Sequence, residues 1–305
     1  MVIRDWSSDV CSSDLLIRKR LVGKILDSLK TVSNSDAKRF NEFWASFGKV
    51  VKEGLYQDEK ERKSILDIAR FHTTASDGET RTLADYVTAL KPGQDKIYFI
   101  TADSLDAAKH SPHLESARAS GYEVLLLVDP VDEVWTQHPI EYEGKTFQSL
   151  LKGDADSGGE DERKAAKEAR EKQAEEIKPF IDWLKEALKD DVRDVRISSR
   201  LKESAACLVG EEYDMTPGMA RLFSQMGQSL PSMNRILEIN PSHPLIETLK
   251  GKQAAGTDGE ALKNYAKTLY ALAVIGEGGK LKDPGVTAQR LSAALAAELK
   301  GDISS

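Results

Sequence analysis

From residue 35 to residue 54 the apolar side chains Phe40, Phe43, Trp44, Phe47, Val50 and Val51 recur every three or four positions. That is the period of one helix face, so the stretch predicts an amphipathic helix whose aromatic stripe packs into a core. Ser35 or Asp36 can cap its first turn and Gly54 can end it. A second helix takes in Ile65, Leu66, Ile68 and Ala69. Thr82 stands three positions before Asp85, the spacing of a capping box, and starts a helix over 83–90 that stops at Pro92-Gly93. Two short apolar runs follow, Ile97–Thr101 and 124–128, with helical residues between them and a turn signal at Ser111-Pro112. A crossover of that length joins parallel strands, which makes a βαβ unit and an α/β layer.

The pattern changes after residue 151. Residues 152–163, KGDADSGGEDER, are small, polar and acidic, and predict a flexible hinge. The run EDERKAAKEAREKQAEE mixes both charges at helical spacing and predicts a solvated helix. Beyond Pro179, short strands at 195–201, 205–209 and 236–239 interleave with helices, the signature of a second, α+β domain. Near the end, Leu262, Tyr265, Ala266, Leu269, Leu272 and Ala273 form one stripe. Asp283-Pro284 then provides a helix start, and Leu291, Leu295 and Leu299 form another stripe. Two terminal helices with such stripes carry more apolar surface than they can hide on each other and on a small sheet.

A chain of 305 residues, 40% hydrophobic and 30% charged, can bury the cores of about two domains. The net charge of -7 and pI near 5.5 supply no basic surface for nucleic acid or anionic membrane. The two cysteines, Cys11 and Cys207, form neither a disulfide framework nor a zinc pattern, which fits a reducing cytoplasm. No run approaches the ~18 apolar residues of a membrane-spanning helix, and the start lacks the apolar centre of a signal peptide. The first fourteen residues contain a tandem SSDV/SSDL echo and are expected to be a foreign or disordered leader outside the fold.

Candidate chemistry is sparse. A nucleotide site on the βαβ unit needs glycines that let backbone amides approach phosphate, yet the first strand leads into TADSLDAAK. The spacing of His110 and His113 suggests a metal pair, but Pro112 interrupts it and no third ligand is near. Neither GxSxG nor HExxH occurs, and Cys207 sits in an apolar, strand-like run as a buried structural residue. Arg70, Lys91 and Lys96 do not define an anion site. No catalytic residue and no metal ligand is assigned.

Residues 96–135, KIYFITADSLDAAKHSPHLESARASGYEVLLLVDPVDEVW, resemble the middle domain of the heat-shock-protein-90 family of chaperones. IRKRLVGKILDSLK, FWASFGKVVKEGLYQD, EGKTFQS and DVRISSRL match in the same order, over roughly residues 15 to 300. The resemblance implies the back half of such a chaperone: residues 15–151 as the distal part of an αβα middle domain, 152–178 as a hinge and charged helix, and 179–305 as an α+β dimerisation domain ending in a helical pair. The family's ATPase domain and catalytic arginine segment precede the matched region. No cofactor is therefore expected for this chain, ATP and Mg belonging to the full-length family.

The resemblance also implies partners: a second copy, forming a homodimer, and unfolded client proteins. For clients it points to Trp135 and Gln137 in DEVWTQ and to Met215, Leu222 and Phe223 in YDMTPGMARLFSQMGQ. In bacterial relatives a tryptophan directly follows the DE pair, whereas here Val134 intervenes. From spacing alone, the methionine-rich helix reads as core. For dimerisation it points to Leu262, Tyr265, Leu269, Leu272, Leu291 and Leu295, in a four-helix interface. Two rival readings are a dimerisation module without chaperone activity and a nucleotide-dependent enzyme on the βαβ unit.

Overall fold

The structure, a computed structural model, describes residues 6–154, 160–228, 234–256 and 259–302. The first lobe opens with helices α1 (Trp6–Ser35), α2 (Ala37–Lys52), α3 (Gly54–Gln57) and α4 (Arg62–Ile68), then strand β1 (His72–Thr73) and helix α5 (Leu83–Thr88). Strand β2 (Ile97–Thr101), helix α6 (Leu105–Lys109), a 3-10 turn (Pro112–Leu114), helix α7 (Glu115–Ala119) and strand β3 (Leu125–Leu127) follow. The short helix α8 (Asp132–Trp135) and strands β4 (Glu141–Tyr142) and β5 (Lys145–Ser149) complete it.

The strands order as β1-β3-β2-β5-β4. The central β2 runs parallel to both β3 and β5, while the edge strands β1 and β4 are antiparallel to their neighbours. Alternation along β2 divides the core between two faces. Ile97 and Phe99 pack with Phe40, Leu66 and Leu83 on one side, and Tyr98 and Ile100 with Ala108 and Leu114 on the other. Apolar side chains thus pack on both faces of this mixed sheet. The β4–β5 turn takes Glu143 and Gly144 through positive φ, 48° and 72°, the hand that suits a two-residue hairpin.

The aromatic helix is present as α2, capped by Asp36, whose carboxylate accepts from the Arg39 amide at 3.0 Å. Phe40 and Trp44 are buried, whereas Phe47 and Val50 are more than half exposed, so only part of the stripe enters the core. Residues 6–14, expected as a leader apart from the fold, carry helical backbone continuous with the rest of α1. No proline or glycine lies between residues 6 and 22 to stop a helix propagating outward from the α1–α2 hairpin. Residues 1–5 lie outside the description.

The second lobe contains α9 (Glu160–Glu176), α10 (Lys178–Ala187), β6 (Val192–Ile197), β7 (Ala206–Val209), α11 (Pro217–Gln225) and β8 (Arg235–Ile239). Helices α12 (Pro244–Ala254), α13 (Gly259–Gly276) and α14 (Pro284–Asp302) follow. Its sheet orders as β6-β8-β7, with β8 parallel to β6 and antiparallel to β7. One face is covered by α10, α12 and α13 around Phe180, Leu184, Leu237, Ile246 and Leu269. The strand expected over 195–201 starts earlier and ends at Ile197. It ends there because the Ser198 hydroxyl accepts from the amides of Arg200 and Leu201, both at 3.1 Å, and turns the chain. Lys152 and Gly153, the expected beginning of the hinge, are pinned to the second sheet: Gly153 donates to the Gly210 carbonyl at 3.0 Å and Gly210 to that of Leu151 at 3.2 Å. Residues 155–159 of that hinge lie outside the description.

Candidate functional site

Helices α8 and α11 come from different lobes and touch. Thr216 caps α11, its hydroxyl accepting from the Met219 amide at 3.2 Å and donating to Glu133 of α8. Pro217 occupies the first turn, where its missing N–H costs nothing. Gly218 lies against the Glu133 carboxylate so closely that a β-carbon there would collide with it. Arg221, one turn on, pairs with Asp103 just beyond β2. Pro217 and Gly218 thus let α11 start and dock against α8. Burial raises the Glu133 carboxyl above its usual range, against the pull of the Thr216 and Thr101 hydroxyls.

Helix α11 buries none of its residues, although its sequence is amphipathic. Met215, Leu222 and Phe223 are half-buried, and Met226 is 65% exposed. A small cavity of about 120 Å³ separates Leu222 and Gln225 from Pro130 and Glu133. On the helix's other flank, Met215, Pro217 and Ala220 border a groove of about 480 Å³ that reaches Leu208, Tyr270 and Val274. The result is an apolar surface on a short helix, with polar groups around it.

Trp135 does not join that surface. It is fully buried, and its indole N–H donates to Asp132 Oδ1 at 2.7 Å. Its ring meets Phe147 edge-on at 5.5 Å and tilts against Phe71 at 6.3 Å. Asp132 is held in turn by Lys52 at 2.8 Å, which also reaches Asp129 at 2.8 Å. Burial opposes the charge on Lys52, but the two carboxylates outweigh it and raise its pKa. The expectation of Trp135 as an exposed aromatic face is therefore corrected: Val134, half-buried, and Gln137, exposed, are the outward residues of this segment. Gln137 accepts from Lys152 Nζ at 3.2 Å and donates to the Glu133 carbonyl at 3.0 Å.

The terminal stripe also divides. Leu262 and Leu269 are 3% and 1% exposed and belong to the core of their own lobe, which corrects their assignment to an interface. Tyr265, Leu272 and Ile275 point outward at 37%, 42% and 49%. Leu291 is half-buried, Leu295 is 60% exposed, and the side chain of Leu299 lies outside the described residues. Ile275 escaped the sequence reading, although its place ten residues after Tyr265 and three after Leu272 sets it on their face.

Cys207 is buried, and desolvation drives its thiol pKa well upward. His110 is exposed while His113 is buried against Glu277, and no metal-binding cluster occurs among the described residues. Arg70 donates to the carbonyls of Ile68 and Ala69 and to Ser33, and Lys96 to Gln148, so these cations serve separate local contacts. No helix among the described residues is long and apolar enough to cross a membrane.

The chain is a mixed α/β protein with a partly exposed apolar helix held at a lobe junction. Residues 14–305 match the family described as Hsp90 protein. The chain is 41% identical over 284 residues to the chaperone protein HtpG of Frankia casuarinae, 44% over 284 residues to that of Salinispora tropica, and 43% over 285 residues to that of Mycobacterium bovis BCG. These alignments cover 92–93% of this chain and 44–45% of the relatives, so it spans less than half of their length. The chain belongs to the Hsp90 family of heat-shock chaperones.

Proposed function

We propose that this chain is a client-holding part of an HtpG-type chaperone, comprising a distal middle domain and a C-terminal dimerisation domain. It captures unfolded or partly folded proteins on α11, with Val134 and Gln137 beside it. The observation that carries this reading is α11 itself, an amphipathic helix with no buried residue and with Met215, Leu222, Phe223 and Met226 partly open to water. Removing client side chains from water supplies the driving force, and methionine adapts to varied shapes. Pairing of Tyr265, Leu272, Ile275 and Leu295 with a second copy would set two such helices in one assembly and raise their effective concentration.

Holding of this kind needs no nucleotide of its own, and a cytoplasmic location suits it. The glycine-free turn after β2 and the docking of Gly218 and Arg221 at the carboxyl end of the sheet disfavour an enzyme there. Replacing both Leu222 and Phe223 with Ser tests the reading: aggregation of a denatured client should be less suppressed while the dimer persists. Unchanged suppression would remove α11 from the account. The outward face of α13 also supports a second reading, a dimerisation module without chaperone activity, for which the unsubstituted chain would show no suppression.

A further inference from the structure

The penultimate residue of the segment DVRISSRL is Arg200, an arginine with no exposed surface. Its guanidinium reaches three parts of the chain. Nε donates to Glu238 Oε2 on β8 at 2.9 Å, while the terminal nitrogens donate to the carbonyls of Leu150 and Gly153, where the chain leaves the first lobe. One of them also faces His113 Nδ1, in the first lobe, at 3.5 Å. A guanidinium only donates, so Nδ1 is an acceptor and His113 presents its Nε2 hydrogen to Glu277, 3.2 Å away in the second lobe. Glu277 accepts as well from the Leu208 amide at 2.8 Å and from Arg235. Close by, the Glu115 carboxylate accepts from three consecutive amides, those of Lys202, Glu203 and Ser204, at 2.6, 2.7 and 3.1 Å. A run of amides around an anion is a backbone nest, and here the anion comes from the other lobe.

We propose that Arg200, supported by Glu115, is the positioning residue that sets the angle between the two lobes and so holds α11 beside α8. The case is geometric. One rigid fork satisfies backbone carbonyls of the connecting segment and a carboxylate of the second sheet together, which the point charge of lysine cannot do. Arg200 is fully buried, and both it and Glu115 spend their polar atoms on groups of the connecting segment or the second lobe. Thr216–Glu133 and Arg221–Asp103 lie at the same junction, so a changed angle separates α11 from its supports. Only this last step rests on the client-surface reading above.

Hydrogen exchange and small-angle scattering on the full chain test the proposal, using Arg200→Lys, Arg200→Met and Glu115→Ala. Glu115 is only partly enclosed, so its variant keeps the test available if the arginine variants fail to fold. The expected result is exchange faster by about tenfold at the amides of Gly153, Gly210 and 202–204, with unchanged protection in β2, β3 and β8. Scattering should show a larger maximum dimension, and Arg200→Lys should not restore it. Wild-type exchange at those amides with an unchanged scattering profile overturns the proposal. Client suppression separates the two readings. Its loss in a variant whose lobes have shifted, but whose Leu222 and Phe223 are intact, supports the link to α11. Its retention in a shifted variant overturns that link and leaves the clamp standing, whereas the Leu222/Phe223 substitutions test the client surface itself.

Discussion

Helices α10 and α11 begin alike and end differently. Each is short and amphipathic, with proline in its first turn, yet α10 buries Phe180, Ile181 and Leu184 while α11 buries nothing. The difference lies in what each faces. Helix α10 lies over the second sheet with α12 and α13, covering the face lined by Leu208, Leu237 and Ile239. Helix α11 stands between β7 and β8 in sequence and meets the other lobe through Thr216 and Gly218 against α8 and Arg221 against Asp103, contacts that are mostly polar. Amphipathic sequence therefore records that a helix has an apolar face and leaves open what covers it.

The largest expected effect sharpens the buried side of this contrast. Trp135→Ala should destabilise the first lobe by about 3–5 kcal/mol and Leu184→Ala the second by about 2–5 kcal/mol, read by chemical denaturation. The matching changes on the open side, Gln137→Ala and Leu222→Ala, should stay within about 1 kcal/mol. A loss at Leu222 as large as that at Leu184 would make α11 a core helix and break the comparison.

Helix α13 repeats the contrast within one element. Leu269→Ala should lower stability by about 2–5 kcal/mol, as a core truncation does. Leu272→Asp should leave the fold intact and weaken self-association by about tenfold or more, measured by dilution in analytical ultracentrifugation. Equal effects on folding from both would mean that α13 has no outward, interface-forming face.

A smaller effect is expected in acid. Burial opposes the charge on Glu115, Glu238 and Glu277, yet it is outweighed: by the Ser204 hydroxyl and three amides at Glu115, by Arg200 and Arg196 at Glu238, and by His113 and Arg235 at Glu277. All three carboxyls are held below their usual range. Their stabilisation is thus fully present above the unfolded carboxylate pKa near 4.5 and is lost as pH falls through the lower folded values. The junction amides at 202–204 should lose protection below about pH 4.5 before the apolar cores do. Acid-independent protection there would show that the carboxylates contribute little.

Much of the architecture was legible in the sequence. The apolar runs of β2 and β3 and their helical crossover stand out, as does the change of pattern after residue 151, because local period and turn residues record them. Edge strands β1 and β4 escaped notice, being two residues each. The sites were less legible. Leu262 and Tyr265 sit three residues apart and were read as one stripe, although a helix with a partly apolar circumference divides them between core and surface. Trp135 was placed by resemblance, and only the Lys52–Asp132 pair, 80 residues apart in sequence, shows why it turns inward. The junction depends on pairs such as Glu115 with Ser204 and His113 with Glu277, separated by 89 and 164 residues, which no local pattern encodes.

The most direct test of the account is a client-aggregation assay without nucleotide, run beside size-exclusion light scattering on the same chain and on its Leu222→Ser/Phe223→Ser variant. The account predicts dimers for both, with suppression of aggregation by the first and a clear loss in the second. A dimer that suppresses nothing, or a variant that suppresses as well as the original chain, would contradict it.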